Sequence, residues 1–309
     1  EPDYVCVAWD KRGTNIRRRL AIYSEYKAGR KPAPPDFYAQ IPILHELLAA
    51  FSWPLYEFDD YEADDIMATL DKQAEQHGDI ETYLITSDLD ALQILDQNTY
   101  LYALKKGLTN IDKFDIPAFE KRYGIRIGQF LDLKSLKGDS SDNIPGVPGV
   151  GEKTAVKLLQ QFETLDGVYE NLWQIKDSLR RKLEAGKESA YMSRELARLF
   201  TDAPVKLDLA AMDVRDLDTA KLRELLEKLE FRSLLRKLPQ HMRDGASEVA
   251  RNDILAPAVE ISGDKVIPML VMAPELLVIW DGDTVWLSHE KGKVARLPLA
   301  KASAILAEA

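Results

Sequence analysis

Short apolar runs alternate with stretches of helical spacing along the first part of the chain. Tyr4–Trp9, Leu55–Phe58, Glu81–Thr86 and Thr99–Ala103 are rich in β-branched and aromatic residues and have strand length. Between them, Asp36 follows the breaker Pro32-Ala-Pro-Pro35 and predicts the cap of a helix running to about Phe51, with Pro42 in its first turns. Ala63 to His77 predicts a second helix, stopped by Gly78, and Ala91–Leu95 a single helical turn. Strands separated by helices at this spacing predict an α/β fold on one parallel sheet with right-handed crossovers. Such sheets bind ligands beyond the carboxyl ends of their strands. Asp10 follows the first run directly, Asp59 to Asp65 follow the second, and Asp88 and Asp90 follow the third. Carboxylates are thus delivered to one sheet edge.

The pattern from Ile116 to about Met242 is helical. Pro117–Tyr123, Ile127–Lys137, Glu152–Phe162 and Asp218–Leu238 carry apolar residues at three- and four-residue spacing. Residues 243–265 lose the periodicity and gather Gly, Asn, Ser and Pro, as a linker does. Leu276–Trp280 and Asp283–Leu287 flank Asp281-Gly282 as in a hairpin, and Val294–Leu299 predicts a third strand. Glu1-Pro2-Asp3 enters the first apolar run without an initiator Met, and Ile305–Ala309 stops without a cap, so the chain reads as a fragment cut at both ends. The expected division is an α/β core at 1–115 carrying a basic segment at 11–35, a helical part at 116–242, the linker, and the start of a further β-containing domain at 266–309.

Composition narrows the classes. At 46% hydrophobic and 30% charged residues, the chain can build a packed core. The run Val266–Trp280 is interrupted by Pro268, Pro274 and Glu275 and falls short of a membrane span, no signal peptide opens the chain, and the single cysteine, Cys6, excludes a disulfide framework. A soluble, cytoplasmic protein is expected. The net charge of −10 argues against a general basic nucleic-acid binder but averages over patches. Residues 11–31 carry Lys11, Arg12, Arg17, Arg18, Arg19, Lys27, Arg30 and Lys31 against Glu25 alone, while acids gather elsewhere. A basic stripe beside separate acid clusters suits joint binding of a polyanion and metal ions. Self-repulsion predicts that the stripe is mobile until phosphates relieve it.

The candidate chemical set is Asp10, Glu62, Asp64, Asp65, Asp88, Asp90, Asp139 and Asp142. Single acids at strand ends and helix starts are ordinarily caps. A converging group would raise one another's pKa values unless cations compensate, and oxygen donors favour Mg²⁺ or Mn²⁺. Four histidines, none beside these acids in sequence, argue against zinc. Two ions about 3.5–4 Å apart clamp the attacking and leaving oxygens of a phosphodiester. A second signal is Asp142-Asn-Ile-Pro-Gly146-Val-Pro-Gly149-Val-Gly151-Glu-Lys153-Thr154-Ala-Val-Lys157. Its glycines let backbone approach a ligand, and a helix opening at Glu152 presents N–H groups to phosphate, with Lys153, Thr154 and Lys157 adding contacts. The plain alternative is an ordinary Gly/Pro loop.

These segments resemble a known family. Tyr23-x-x-Tyr26-Lys27-Ala-Gly-Arg30, Tyr61-Glu62-Ala-Asp64-Asp65, Ile85-Thr-Ser-Asp88-x-Asp90 and the run from Gly138-Asp139-x-x-Asp142 to Gly-Glu-Lys153-Thr-Ala are similar to the 5′ nuclease domain of bacterial DNA polymerase I, in the flap endonuclease superfamily. The motifs keep the family's order from residue 3 to about 240, and Leu226–Leu235 resembles its closing helix. The tail from about Leu276 is similar to the start of a proofreading-like 3′-5′ exonuclease domain. The resemblance implies a PIN-like parallel sheet flanked by helices, a helical arch, a helix–hairpin–helix subdomain, and a truncated second domain at the C-terminus. It implies metal-ligand positions, direct or through water, for Asp10, Glu62, Asp64, Asp88, Asp90 and Asp142, with Asp65 and Asp139 as additional acids. By the same resemblance, Lys27 and Arg30 match the basic pair of the arch that holds the scissile phosphate. Gly146, Gly149, Gly151 and Lys153 match the element that grips duplex DNA, where K⁺ bridges backbone carbonyls to phosphate. Arg17, Arg18 and Arg19 are open candidates for DNA contact. The family's opening strand, which ends in a further Asp, is absent here, and the basic segment is longer and richer in arginine.

The implied activity is that of a structure-specific 5′→3′ exonuclease and flap endonuclease, using two Mg²⁺ (or Mn²⁺) ions in primer removal and repair. Its partners would be DNA with 5′ flaps, nicks or 5′ ends and RNA primers paired to DNA. It would act as a monomer, away from membranes, followed by a polymerase module. The alternatives are a catalytically impaired duplex-binding scaffold and a PIN-type ribonuclease. The complete acid set opposes the first, and the glycine loop and basic segment oppose the second.

Overall fold

The computed structural model describes residues 2–105, 110–214 and 218–238, together with the backbone of strands at 259–260, 277–281, 284–290 and 293–298. The chain divides into two compact units, Glu1–Asp218 and Thr219–Ala309.

The first unit opens with β1 (Val7–Ala8), α1 (Arg17–Ile22), α2 (Pro35–Ala50), β2 (Leu55–Tyr56), α3 (Ala63–Ala74), β3 (Thr82–Thr86), β4 (Thr99–Leu104) and β5 (Ile111–Phe114). The parallel pairs are present, but they sort into two sheets: β1 with β2, and β3 with β4, which β5 joins antiparallel. The expected single sheet is therefore split. Residues ahead of β1 instead pair with residues 212–214, the Val5 N–H donating to the Met212 carbonyl at 2.8 Å and the Val214 N–H to that of Asp3 at 3.1 Å. Helix α3 joins the two parts. Its Ala68 packs into the core under β3–β5, while Ile66 and Leu70 pack with Cys6, Ala8, Tyr56 and Phe58. The glycine stop is as expected: a 3₁₀ turn at Glu75–His77 ends at Gly78 in the left-handed region (φ 74°). Helix α2 differs, because Pro34 rather than Asp36 precedes it, Pro35 takes its first position, and Pro42 lies within it.

The unit continues with α4 (Ile116–Tyr123), α5 (Phe130–Lys137), α6 (Glu152–Phe162), α7 (Leu165–Glu170), α8 (Asp177–Ala185) and α9 (Lys187–Ala197). Asp115 caps α4 by accepting the Ala118 N–H at 2.8 Å. One hydrophobic core runs from Leu84, Leu101 and Phe114 on the strands to Phe119, Phe130, Leu133, Leu158 and Leu159 on the helices. Each such side chain contributes about 1.5–3 kcal/mol on burial. The α5–α6 loop is thereby fastened to the strands that carry the acids.

In the second unit, α10 (Thr219–Lys228) and α11 (Arg232–Lys237) replace the single helix expected over 218–238, because Glu230 adopts φ 57° between them. β6 (Val259–Glu260), β7 (Leu277–Asp281), β8 (Thr284–Glu290) and β9 (Lys293–Pro298) form a sheet of order β6-β9-β8-β7. The antiparallel β7–β8 hairpin and the third strand match expectation, whereas β6 falls in the stretch expected as linker. The rest of that linker and the hairpin turn at 282–283 lie outside the described residues. No helix among the described residues is long and apolar enough to cross a membrane.

Candidate active site

The site gathers at the start of α3. Asp10, just past β1, accepts the Ala63 N–H at 2.9 Å and the Asn15 side-chain amide at 3.0 Å through one oxygen, Oδ1. It thus satisfies one of the free donors of the first turn of α3. Glu62 stands at the N-cap position in extended conformation.

Glu62 and Asp142, each only 6% exposed, come from sequence positions 80 residues apart and meet over one tyrosine. The Tyr26 hydroxyl lies 2.9 Å from Glu62 Oε2 and 3.2 Å from Asp142 Oδ2, so it can donate to either. Burial and the Glu62 carboxylate push the Tyr26 pKa up, which keeps it a protonated donor. Lys27 pairs with Glu62 through Oε1 and stands 3.5 Å from Asp142, while Arg30 reaches Asp142 Oδ1 at 2.5 Å. Lys27 is placed by its backbone: it adopts φ 58°, and its N–H donates to the Asp142 carbonyl at 2.9 Å.

A second group forms around Lys134 of α5, whose buried ammonium pairs with Asp90 and lies 2.7 Å from Asp139. Asp88 opens the 3₁₀ turn Leu89–Ile94 after β3 and accepts the Asp90 N–H at 2.9 Å. Burial raises the Asp90 pKa even though Lys134 opposes the shift. Burial also acts upward on Asp139, but hydrogen bonds from Lys134 and Ser141 outweigh it and hold the pKa at about 2. Asp64 shows how close the groups are: burial first, then Asp88, Asp90, Asp10 and Glu62, push its carboxyl well above the usual range. Tyr26, Lys27, Glu62, Asp64, Asp90 and Asp142 line one cavity.

The donor chemistry fits a hard divalent cation, since these donors are carboxylate oxygens crowded enough to oppose one another's ionisation. Among the described residues, no three of them close around a single point as they would around an ion. Ammonium and guanidinium groups from Lys27, Arg30 and Lys134 stand between them.

Residues 1–124 match the model of a 5′-3′ exonuclease N-terminal, resolvase-like domain, and residues 125–220 that of a 5′-3′ exonuclease C-terminal domain of SAM fold. The chain belongs to the 5′-3′ exonuclease family. It is 41% identical to DNA polymerase I of Caldicellulosiruptor bescii over 263 residues, covering 84% of this chain and 30% of that protein. Against the Bacillus subtilis DNA polymerase I it is 34% identical over 281 residues, 90% of this chain and 31% of the relative. The chain thus spans about 30% of the length of these curated relatives. Its fold is similar to that of the bacteriophage T5 flap endonuclease solved with DNA and metal ions, at TM-score 0.53 and 22% identity over 72% of this chain and 82% of that one. The T5 5′-exonuclease solved with zinc gives TM-score 0.52 and 22% identity over 71% and 81%.

Not every expected site residue of this exonuclease-family chain faces the cavity. Asp65 is fully buried, and both its oxygens are taken, by the Arg19 guanidinium at 2.7 and 2.8 Å and by the N–H groups of Glu62 and Phe200. Asp65 is placed as an anchor between α1, the start of α3 and Phe200, away from the residues that line the cavity. Its partner Arg19 is likewise buried and is not a free DNA contact. Arg17 pairs with Asp60 and Arg18 with Asp202, both near the surface. Within residues 11–31, acids stand against Arg17, Arg18, Arg19, Lys27 and Arg30, while Arg12 lies over the Tyr38 ring.

In the α5–α6 loop, Gly149, Gly151, Lys153 and Lys157 are exposed and Thr154 is half-buried. Gly146 is different. It is buried, its N–H donates to Ser193 Oγ at 2.9 Å, and its carbonyl accepts from Ser189 Oγ at 2.6 Å. Its conformation (φ 60°) and a Cβ position only 2.2 Å from the Gly138 nitrogen show that it closes the turn.

Tyr26 and Lys134 hold places in the site that residue order does not announce outright. Tyr26 sits inside a quoted motif, so its place beside Lys27 was a usable signal. Lys134 lies in an apolar stretch of α5, where a lone cation among Leu133 and Leu136 marks a buried partner only in retrospect.

Proposed function

We propose that this chain is a metal-dependent 5′ nuclease hydrolysing DNA phosphodiesters at 5′ ends and flaps. The reading is carried by the convergence of carboxylates from the end of β1, the start of α3, the turn after β3 and the α5–α6 loop, with Lys27 and Arg30 set against two of them. Asp10, Glu62, Asp64, Asp88, Asp90, Asp139 and Asp142 would hold Mg²⁺ or Mn²⁺, two ions matching the needs of a phosphodiester displacement. Bound there, the ions would acidify the attacking water and stabilise the leaving oxygen. The chain's own side chains supply the remainder. Lys27 and Arg30 turn from Glu62 and Asp142 to the scissile phosphate and offset its developing charge. Tyr26 holds those two carboxylates in orientation. Gly149, Gly151, Lys153, Thr154 and Lys157 seat duplex phosphate, and the loop carbonyls would hold K⁺. Arg17 and Arg18, on the surface, attract the single-stranded 5′ end.

Products carry 5′-phosphate and 3′-hydroxyl ends, and RNA primers paired to DNA are substrates of the same geometry. A polymerase module following in the same protein is supported by the relatives. The test is cleavage of a labelled 5′ flap, a nicked duplex and single-stranded RNA, each with Mg²⁺ and with EDTA. Flap and nick are expected to be cut with Mg²⁺ alone. Preferential cutting of the RNA would favour the ribonuclease reading, and duplex binding without cleavage the scaffold.

A further inference from the structure

We propose that Lys182 is a further phosphate-positioning residue of the duplex grip, contributed by the α8–α9 corner. The inference rests on the reading above, that the loop around Gly149 and Lys153 seats duplex phosphate. Gly149 is exposed and left-handed (φ 79°), and the Lys182 side chain lies along it. A Cβ on residue 149 would meet Lys182 Nζ at 3.0 Å and its Cδ and Cε at 3.4 Å. The ammonium reaches the Gly149 carbonyl at 3.4 Å, a long hydrogen bond that leaves most of its donor capacity facing solvent. Among the described residues, no carboxylate pairs with it. Two nearby cations differ: Arg180 is held by Asp177 and Glu184, and Lys137 by Glu152.

The corner is packed directly on the loop. A Cβ on Gly186, between α8 and α9, would lie 2.8 Å from Val147 Cγ1 and 3.4 Å from Pro148 Cδ. Ser189 and Ser193 of α9 bond the Gly146 carbonyl and N–H. The ammonium is therefore tethered by a rigid element at the turn that leads into α6, where Lys153 and Lys157 are exposed. A phosphate approaching that turn meets a third cation from outside the loop's own sequence. The arrangement also gives residue 149 a second reason to be glycine, since any side chain would displace the Lys182 stem.

The experiment measures binding of the full 309-residue chain to a nicked duplex in EDTA across a KCl series. Lys182→Ala should weaken binding about threefold to tenfold and reduce the log–log salt slope by about 1. Lys182→Arg should restore both, and the melting temperature and single-strand affinity should stay at wild-type values. Lys121→Ala, in the last turn of α4, should not change the slope. An unchanged slope in Lys182→Ala, or a loss that Arg does not restore and that comes with a lower melting temperature, overturns the proposal. Lys153→Glu separates the two possible failures. A loss with Lys153→Glu but none with Lys182→Ala overturns this inference alone, whereas no loss with either overturns the duplex-grip reading with it.

Discussion

The carboxylate site and the glycine loop both draw on Asp139 and Asp142, yet different physics holds each in place. In the site, buried acids from distant segments are kept tolerable by cations from other segments: Glu62 and Asp142 by Lys27 and Arg30, Asp90 and Asp139 by Lys134. In the loop, shape comes from backbone conformation and close approach. Gly138 and Gly146 have positive φ and contact each other, Asp139 and Ile144 exchange N–H···O bonds at 2.8 Å, and the Val147 N–H donates to the Leu136 carbonyl at 2.8 Å. The site should therefore respond to loss of a charge, and the loop to addition of a methyl group.

The largest expected effect is chemical. Asp88→Asn with Asp90→Asn should lower the single-turnover cleavage rate by at least about 100-fold while duplex affinity holds or tightens. Near-normal Mg²⁺-dependent turnover in the double variant would remove these acids from the chemistry. Next comes stability beneath the site. Arg19→Ala leaves Asp65 and Glu62 buried without their guanidinium, and denaturant unfolding should show a loss of about 3–5 kcal/mol. A loss below about 1 kcal/mol would mean that the acids find other partners and that electrostatic pairing does not hold this region.

The loop is sharpened by two alanines. Gly146→Ala should cost about 1–3 kcal/mol, because its Cβ would strike the Gly138 backbone at positive φ. Gly151→Ala should cost far less, since φ is −92° and nothing lies within 4 Å of the new methyl. Equal losses in thermal melts would break the steric account. The smallest effect belongs to Arg17→Ala, an exposed cation paired with Asp60: the melting transition should stay in place while the salt dependence of flap binding flattens slightly. Lys27→Ala should instead slow cleavage at saturating enzyme, which separates a residue acting on the reacting phosphate from one that attracts the strand.

The same division governs what could be read from residue order. Helix α6 starts and stops where its periodicity does, at Glu152 and Phe162, and the loop before it announces itself by glycines whose backbone demands are local. The acids were legible as a set, because strand ends carry them. Their pairing was not, since Glu62 meets Asp142, and Lys134 meets Asp90, only through tertiary packing. Asp65 illustrates the cost: of two neighbouring acids in one motif, Asp64 lines the cavity and Asp65 binds Arg19, and residue order alone does not say which does which. Non-glycine residues in left-handed conformation were equally silent, so Glu230 breaks the helix expected over 218–238 and Lys27 turns toward Asp142 without a sequence signal. β5, four residues with two charges, carries too little alternation to stand out from a loop.

The central claim is that the acids cut while the loop holds. Single-turnover cleavage of one 5′ flap, measured over rising enzyme concentration for the Asp88→Asn/Asp90→Asn variant and for Lys153→Glu, tests it most directly. The account predicts that the first variant saturates at or below the wild-type concentration with a collapsed rate, and that the second needs more enzyme but reaches a near-wild-type rate. A collapsed plateau for Lys153→Glu, or a shifted midpoint with a normal plateau for the double variant, would contradict it.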